Sequence, residues 1–267
     1  MTRLWLINQF ANTPSLPGHT RQFEVAAGLV SNGWQVEVYA SDFNLTQRKY
    51  RRLRFPRLWS TEHPAGISWT WLWVSSYSHN NWKRQLNMLS FCLHLALRLG
   101  PAALLGRFIG HAPDVILASS PQLPAAFTCS WIARLSGIPF VLEVRDLWPQ
   151  VLIDQGGKSP HSLMVRLLAW MERQLYRNAS TVVVLAKGAE PFVRERGARR
   201  TAAEASAKDS ESVTISGQFG AGSGFVAGSR PPGVPAARRV LKSSTSSGLW
   251  VRQPAPPVDE KLREVNS

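Results

Sequence analysis

The chain has 267 residues, 44% of them hydrophobic, which excludes a wholly disordered protein and allows one full core or two small ones. Lys and Arg number 31 against 17 Asp and Glu, and the resulting net charge of +14 is unusual for a soluble metabolic enzyme. It calls for an anionic partner: phosphate, nucleic acid or an acidic membrane face.

Residues 4–8 form a short apolar run that reads as a strand, with neither the apolar core nor the small-residue cleavage site of a leader around it. A loop carrying Pro14, Pro17 and Gly18 follows. Phe23, Ala26, Ala27 and Val30 then recur at helical spacing, with Thr20 placed to cap that helix and Gly33 to end it. Residues 36–40 return to strand character, which makes the first forty residues one βαβ unit. Over 66–74, Ile67, Trp69, Trp71 and Trp73 alternate as in a half-exposed strand.

Residues 81–105 read as a helix. The apolar stretch 89–109 is broken by His94, Arg98, Pro101 and Arg107, short of the roughly 18 uninterrupted residues a spanning helix needs, so no transmembrane segment is expected. Cys92 and Cys129 stand in apolar helical surroundings and read as buried thiols in a reducing compartment, not as a disulfide. Strands at 114–118, 139–144 and 181–185 alternate with helices at 123–135, closed by Gly137, at 162–177 and at 188–196. Six strands so arranged predict a single doubly wound, Rossmann-like parallel-sheet α/β domain over residues 1–200, with ligands at the carboxyl ends of its strands.

From 201 to 267 the periodicity gives way to Ser, Gly, Pro and Arg, including Pro231-Pro232 and Pro256-Pro257, so this tail is expected to be largely disordered. Gly222-Ser223-Gly224-Phe225-Val226-Ala227 matches a dinucleotide fingerprint by letters. It lacks the acidic residue downstream that would hold a ribose, and is set aside.

Three loops at strand ends carry polar residues. In the first, Gly18, His19 and Thr20 open a helix, where free N–H groups favour an anion or a sugar hydroxyl; an ordinary capped turn is the alternative. In the second, Ser119 and Ser120 precede Pro121 and Gln122 and can offer hydroxyl and amide groups, although Ser-Pro also simply starts helices. The third is the most specific: Glu143 lies near the end of the buried strand 139–144, which runs into Arg145-Asp146-Leu147-Trp148-Pro149. Charges abutting a buried strand are costly unless functional or paired, and a structural ion pair between Arg145 and Asp146 remains open.

The six histidines show no metal-ligand spacing, and no Gly-x-Ser-x-Gly elbow occurs, so neither a metal centre nor acyl-enzyme chemistry is expected. Arg48, Lys49, Arg51, Arg52, Arg54 and Arg57 place six cations in ten residues, interleaved with Tyr50, Phe55 and Trp59. That pattern suits an anionic lipid surface, where each cation contributes about 1 kcal/mol, with a solvated loop as the plain alternative, although six cations in ten residues exceed what solubility asks. It also suits nucleic-acid phosphates, but no reader motif accompanies the charge, so nucleic acid is not expected as a partner.

The Pro-Gly-His-Thr loop, the helix ending at Gly33, the run Phe140-Val141-Leu142-Glu143-Val144-Arg145-Asp146-Leu147-Trp148-Pro149-Gln150 and the strand Val182-Val183-Val184-Leu185 together resemble the amino-terminal half of family 4 glycosyltransferases. The bacterial surface-polysaccharide enzymes of the WbuB type are the group most alike. The resemblance covers residues 3–200 and implies one half of a GT-B architecture, the half that holds the acceptor. It implies a retaining, metal-free transfer of sugar from a nucleotide sugar to a lipid-linked saccharide, at the cytoplasmic side of a bacterial membrane. By likeness, Gly18 and His19 lie near the donor phosphates or acceptor, and Arg145 and Asp146 flank the transferred sugar. The family continues into a Pro-Asn-Gly segment and a donor domain with two glutamates eight apart, and residues 201–267 contain neither. The expectation is therefore a truncated transferase, weak or inactive alone, with a tail resembling out-of-frame translation. A non-catalytic module that binds membrane or acceptor is the alternative.

Overall fold

The computed structural model describes residues 1–203 except 48, 51–52, 79–81, 121, 155 and 186, together with the backbone of 213–215 and 225–227. In chain order the first elements are β1 (Arg3–Ile7), α1 (Arg21–Ser31), β2 (Gln35–Ser41), a small antiparallel pair β3 (Phe43–Asn44) and β4 (Lys49–Tyr50), then β5 (Trp59–Glu62) and β6 (Ser68–Leu72). The long helix α2 (Trp82–Ile109) leads to β7 (Val115–Ser119), α3 (Leu123–Ser136) and β8 (Phe140–Val144). The short α4 (Gln150–Asp154) precedes α5 (Leu163–Asn178), β9 (Thr181–Val184), α6 (Glu190–Glu195) and β10 (Thr201–Ala203).

Eight strands form one sheet in the order β10-β9-β8-β7-β1-β2-β6-β5, parallel throughout except for β5, which runs antiparallel to β6. The chain first walks outward from β1 through β2 to β6, returns across α2, and then builds β7, β8, β9 and β10 on the other side. Its direction reverses between β1 and β7, the place where a doubly wound sheet opens a crevice at its carboxyl edge. The predicted Rossmann-like α/β class is what the chain adopts.

Helices cover both faces. α2, α3 and α5 pack against one another and bury Phe91, Leu95, Leu99, Cys129, Ile132 and Leu175 on the face that carries Ile7, Ile116, Leu142 and Val182. α1 lies on the opposite face with Ala26 and Leu29 against Val36, Val38 and Trp69. A fully buried Leu, Ile or Phe contributes about 1.5–3 kcal/mol, so these two layers carry most of the stability. Cys92 and Cys129 are free thiols on the first face, and burial pushes the Cys92 thiol up to about 11 and the Cys129 thiol up as well.

Several sequence expectations need correction. The strand predicted over 66–74 is not half-exposed: Ile67, Trp69 and Trp71 are buried on the α1 face, while Leu72 and Val74 are buried on the other. Alternation there reports two apolar layers, because β6 is an inner strand, protected by β5. The helix expected to end at 105 runs to Ile109 through Pro101. The carbonyl that Pro101 leaves without its helical donor belongs to Leu97, a residue 65% exposed on the outer side of the helix. By length and composition alone α2 could cross a membrane, so the interruptions at His94, Arg98, Pro101 and Arg107 do not by themselves rule a span out.

The sheet also continues past Arg200. Thr201 Oγ1 donates to Glu190 Oε1 at 2.5 Å, tying β10 to α6, and this bond, with Arg194 beside it, holds the Glu190 carboxyl below its ordinary range. The rest of the tail falls outside the described residues, apart from Val213–Ile215 and Phe225–Ala227, whose backbones pair antiparallel.

Candidate functional site

The three polar loops converge because α1 begins at the carboxyl edge of the sheet and points its first turn across it. Arg21 Nε donates to Glu143 Oε1 at 3.0 Å, and Gln22 Nε2 donates to Glu143 Oε2 at 3.3 Å. Ser119 Oγ also donates to Glu143 Oε2, and it accepts from Gln22 Nε2 at 3.5 Å. Glu143 faces the α1 side of β8, so a carboxylate in a strand with all five residues buried has its charge met by one guanidinium and two neutral donors.

The Ser119-Ser120 loop and the Arg145-Asp146 loop are knitted as well. Ser120 N donates to the Glu143 carbonyl at 2.8 Å, and the Arg145 N–H donates to Ser120 Oγ at 3.0 Å. Ser119, Ser120 and Glu143 are buried and mutually bonded, so they position the edge. Arg145 is half-buried and Asp146 exposed. Among the described residues no ion pair joins the two, so the structural-pair alternative does not describe this protein.

At the first loop, Gly18 has φ +134°, and a Cβ there would meet Asn12 Nδ2 at 2.4 Å, so a side chain is strained on both counts. His19 is exposed, and its carbonyl accepts from Asn12 N at 3.1 Å. Thr20 occupies the N-cap position of α1, yet its hydroxyl donates to Glu24 Oε1 at 3.0 Å and does not cap the helix. The capped-turn alternative is thus half right: the position is a cap, the side chain is not.

The switch point itself adds Asn8, which the sequence did not single out, to Gln122, whose amide the second loop was expected to offer. Ile7 pairs with Ala118, which sets Asn8 beside Ser119 at the ends of β1 and β7. Asn8 Nδ2 has no hydrogen-bond partner among the described residues. Gln122, 2% exposed at the N-cap of α3, leaves both its amide oxygen and its amide nitrogen without one. Each such buried group costs about 1–3 kcal/mol unless something outside the fold satisfies it. Sequence signals existed: Gln22 falls in the apolar stripe with Ala26 and Leu29, and Asn8 follows directly on the β1 run.

Of the basic segment, Arg48, Arg51 and Arg52 lie outside the described residues. Lys49, Arg54 and Arg57 are exposed, as is Trp59, with the Arg98 guanidinium 5.0 Å from its ring centroid. Trp59 pairs with Leu72, the last residue of β6, so this segment borders the same carboxyl edge as the polar loops. Among the described residues no group of three His, Cys, Asp or Glu could hold a metal ion.

No curated protein matches the chain. Among solved structures, sucrose-phosphate synthase from Thermosynechococcus elongatus is similar over 76% of this chain and 47% of its own, with 11% identity and a TM-score of 0.47. The Anabaena protein HepE, in complex with UDP and glucose, is similar over 76% of this chain and 44% of its own, with 11% identity and a TM-score of 0.40. The chain spans about half the length of these structures. Residues 18–205 match the glycosyl transferase 4-like domain, and this chain therefore belongs to that family.

Proposed function

We propose that the chain is the acceptor-binding half of a GT-B glycosyltransferase that retains anomeric configuration, moving a sugar from a nucleotide sugar to a lipid-linked saccharide in bacterial surface-polysaccharide synthesis. The observation that carries the binding role is the pair of buried, unpartnered amides at the switch point, Asn8 Nδ2 and the Gln122 carboxamide. Neutral amide donors and acceptors fit the hydroxyls of a saccharide, which both donate and accept. Around them, Ser119, Ser120 and Glu143 fix the edge, and Gly18 and His19, both exposed, with the half-buried Thr20 form its rim.

Arg145 and Asp146 stand where a transferred sugar would meet the acceptor. In this reading the guanidinium offsets charge on the departing diphosphate and the carboxylate orients the acceptor hydroxyl. No metal or cofactor takes part, the nucleotide sugar being a substrate. A donor-binding half would complete the cleft, and transfer by the 267-residue chain alone is expected to be weak or nil. The cell-membrane inner face is the proposed location, with the cations of the 48–59 segment toward anionic lipid.

The test is titration of the chain with a lipid-linked saccharide in detergent micelles. Gln122→Ala and Asn8→Ala should each weaken binding about tenfold, the equivalent of about 1.4 kcal/mol. Asp146→Asn should leave binding unchanged and remove whatever transfer is measurable with a donor half supplied. Absence of saccharide binding by the unaltered chain would refute the proposal. Binding without transfer under any donor condition favours the non-catalytic module.

A further inference from the structure

Nineteen large apolar side chains are exposed among the described residues, and fifteen of them lie on α2, α3 and α5. They include Leu93, Leu97 and Phe108 on α2, Trp131 on α3, and Leu167 and Trp170 on α5. The three helices pack side by side, α2 on α3 and α3 on α5, so these residues belong to one helical layer. The layer has a second oddity. Its single acidic residue is Glu172, 2% exposed and bonded to Arg196 and Tyr176, whereas the three helices carry eight Lys and Arg. An outward surface that is apolar, basic and free of exposed acids is poorly matched to water and well matched to one class of partner.

The layer is continuous with the carboxyl-edge segment at 54–59. A groove of about 560 Å³ between that segment and the start of α2 is lined by Arg54, Phe55, Trp73, Trp82, Lys83 and Leu86. Phe55 is 73% exposed, and Arg98 of α2 stacks on Trp59. Aromatic rings beside cations at the rim of an apolar surface are the composition of a headgroup-level belt.

We infer that the α2-α3-α5 layer, together with residues 54–59, seats in the boundary between headgroups and acyl chains of an anionic bilayer, with α2 lying along the surface. α2 does not span, because Phe91, Leu95 and Leu99 belong to the core and Asn87 Oδ1 accepts from Gln9 Nε2 at 2.6 Å; withdrawing the helix would open that face of the sheet. A second copy of the chain is the poorer occupant, since a twofold pairing would set one basic surface against another. Anionic lipid supplies the opposite charge and an apolar interior together.

This inference rests on the membrane-side reading above, and the two fail separately, because lipid binding is read without donor or acceptor. The full chain is floated with vesicles of phosphatidylcholine, alone or with an equal part of phosphatidylglycerol, at low and high salt. It should float with the anionic vesicles, less so at high salt, and remain behind with the neutral ones. L93E combined with L97E replaces two side chains that are more than half exposed, and should reduce flotation at least tenfold with an unchanged circular dichroism melting curve. L167E alone should reduce it severalfold, which the 54–59 segment acting by itself would not produce. Failure of the unaltered chain to float, or equal flotation of the double variant, overturns the inference. So does a dimer in solution that the same substitutions dissociate.

Discussion

The strand-end crevice and the α2-α3-α5 layer depart from ordinary burial in opposite directions. In the crevice, Asn8 and Gln122 bury amide groups that the described residues leave unsatisfied. In the layer, leucines and tryptophans stay at the surface although the sheet beneath is already covered. A fold selected for stability alone would do neither, since buried polar groups need partners and large apolar patches need cover. On the reading proposed above, the carboxyl edge would meet hydroxyls and the helical layer acyl chains. A lipid-linked saccharide has both ends.

Each region also buries one carboxylate against one arginine, which allows the two to be broken in the same way. Glu172 sits under the layer with Arg196 Nη1 at 2.9 Å from Oε2 and Tyr176 Oη at 2.9 Å from Oε1. Burial raises its carboxyl above the ordinary range despite the lowering effect of Arg196. The folded form thus holds this proton more tightly than the unfolded chain does, so stability from this group falls as pH rises through the raised folded value and returns below it. Arg196→Ala removes the counter-charge and the stacking on Phe192, 3.7 Å away. It should destabilise by about 3 kcal/mol at neutral pH, and the loss should shrink on acidification, as read from urea midpoints at two pH values. Arg21→Ala acts on Glu143, which keeps its bonds from Ser119 and Gln22. A smaller loss of about 2 kcal/mol is expected by the same measurement.

Much of this architecture was legible in the sequence, and the failures have physical causes. Short apolar runs punctuated by Gly33 and Gly137 gave the strands and helices of the sheet, because both glycines occupy the positive-φ position that ends a helix. Ser119, Ser120, Glu143 and Arg145 were recognisable because polar residues at the end of a buried strand stand out. Arg21 was not, and Gln22 showed only as a polar residue in an apolar stripe, since the bonds of both to Glu143 depend on α1 crossing the sheet edge, contacts spanning more than a hundred residues. The exposure of α2 was illegible for a related reason. Its apolar residues run around the whole helix, so only the packing of Phe91, Leu95 and Leu99 decides which leucines are left outside.

Two gentler substitutions separate the regions most sharply. Gln122→Leu replaces an unsatisfied buried amide with an apolar side chain of similar length. If the amide waits for a ligand, this change should stabilise the free protein by about 1 kcal/mol while weakening saccharide binding, an inverse relation that a structural glutamine would not show. On the layer, Leu97→Gln is the mirror image, polar for apolar at a site 65% exposed. Its stability, read from thermal melting, should hardly move, within about 0.5 kcal/mol, because the side chain is already in water in the free protein. Its partition onto anionic vesicles should still fall measurably, because a glutamine that water solvates well must shed that water to enter the acyl boundary. A surface leucine whose loss costs nothing in buffer and something on lipid belongs to the interface, and one whose loss is silent in both is ordinary surface.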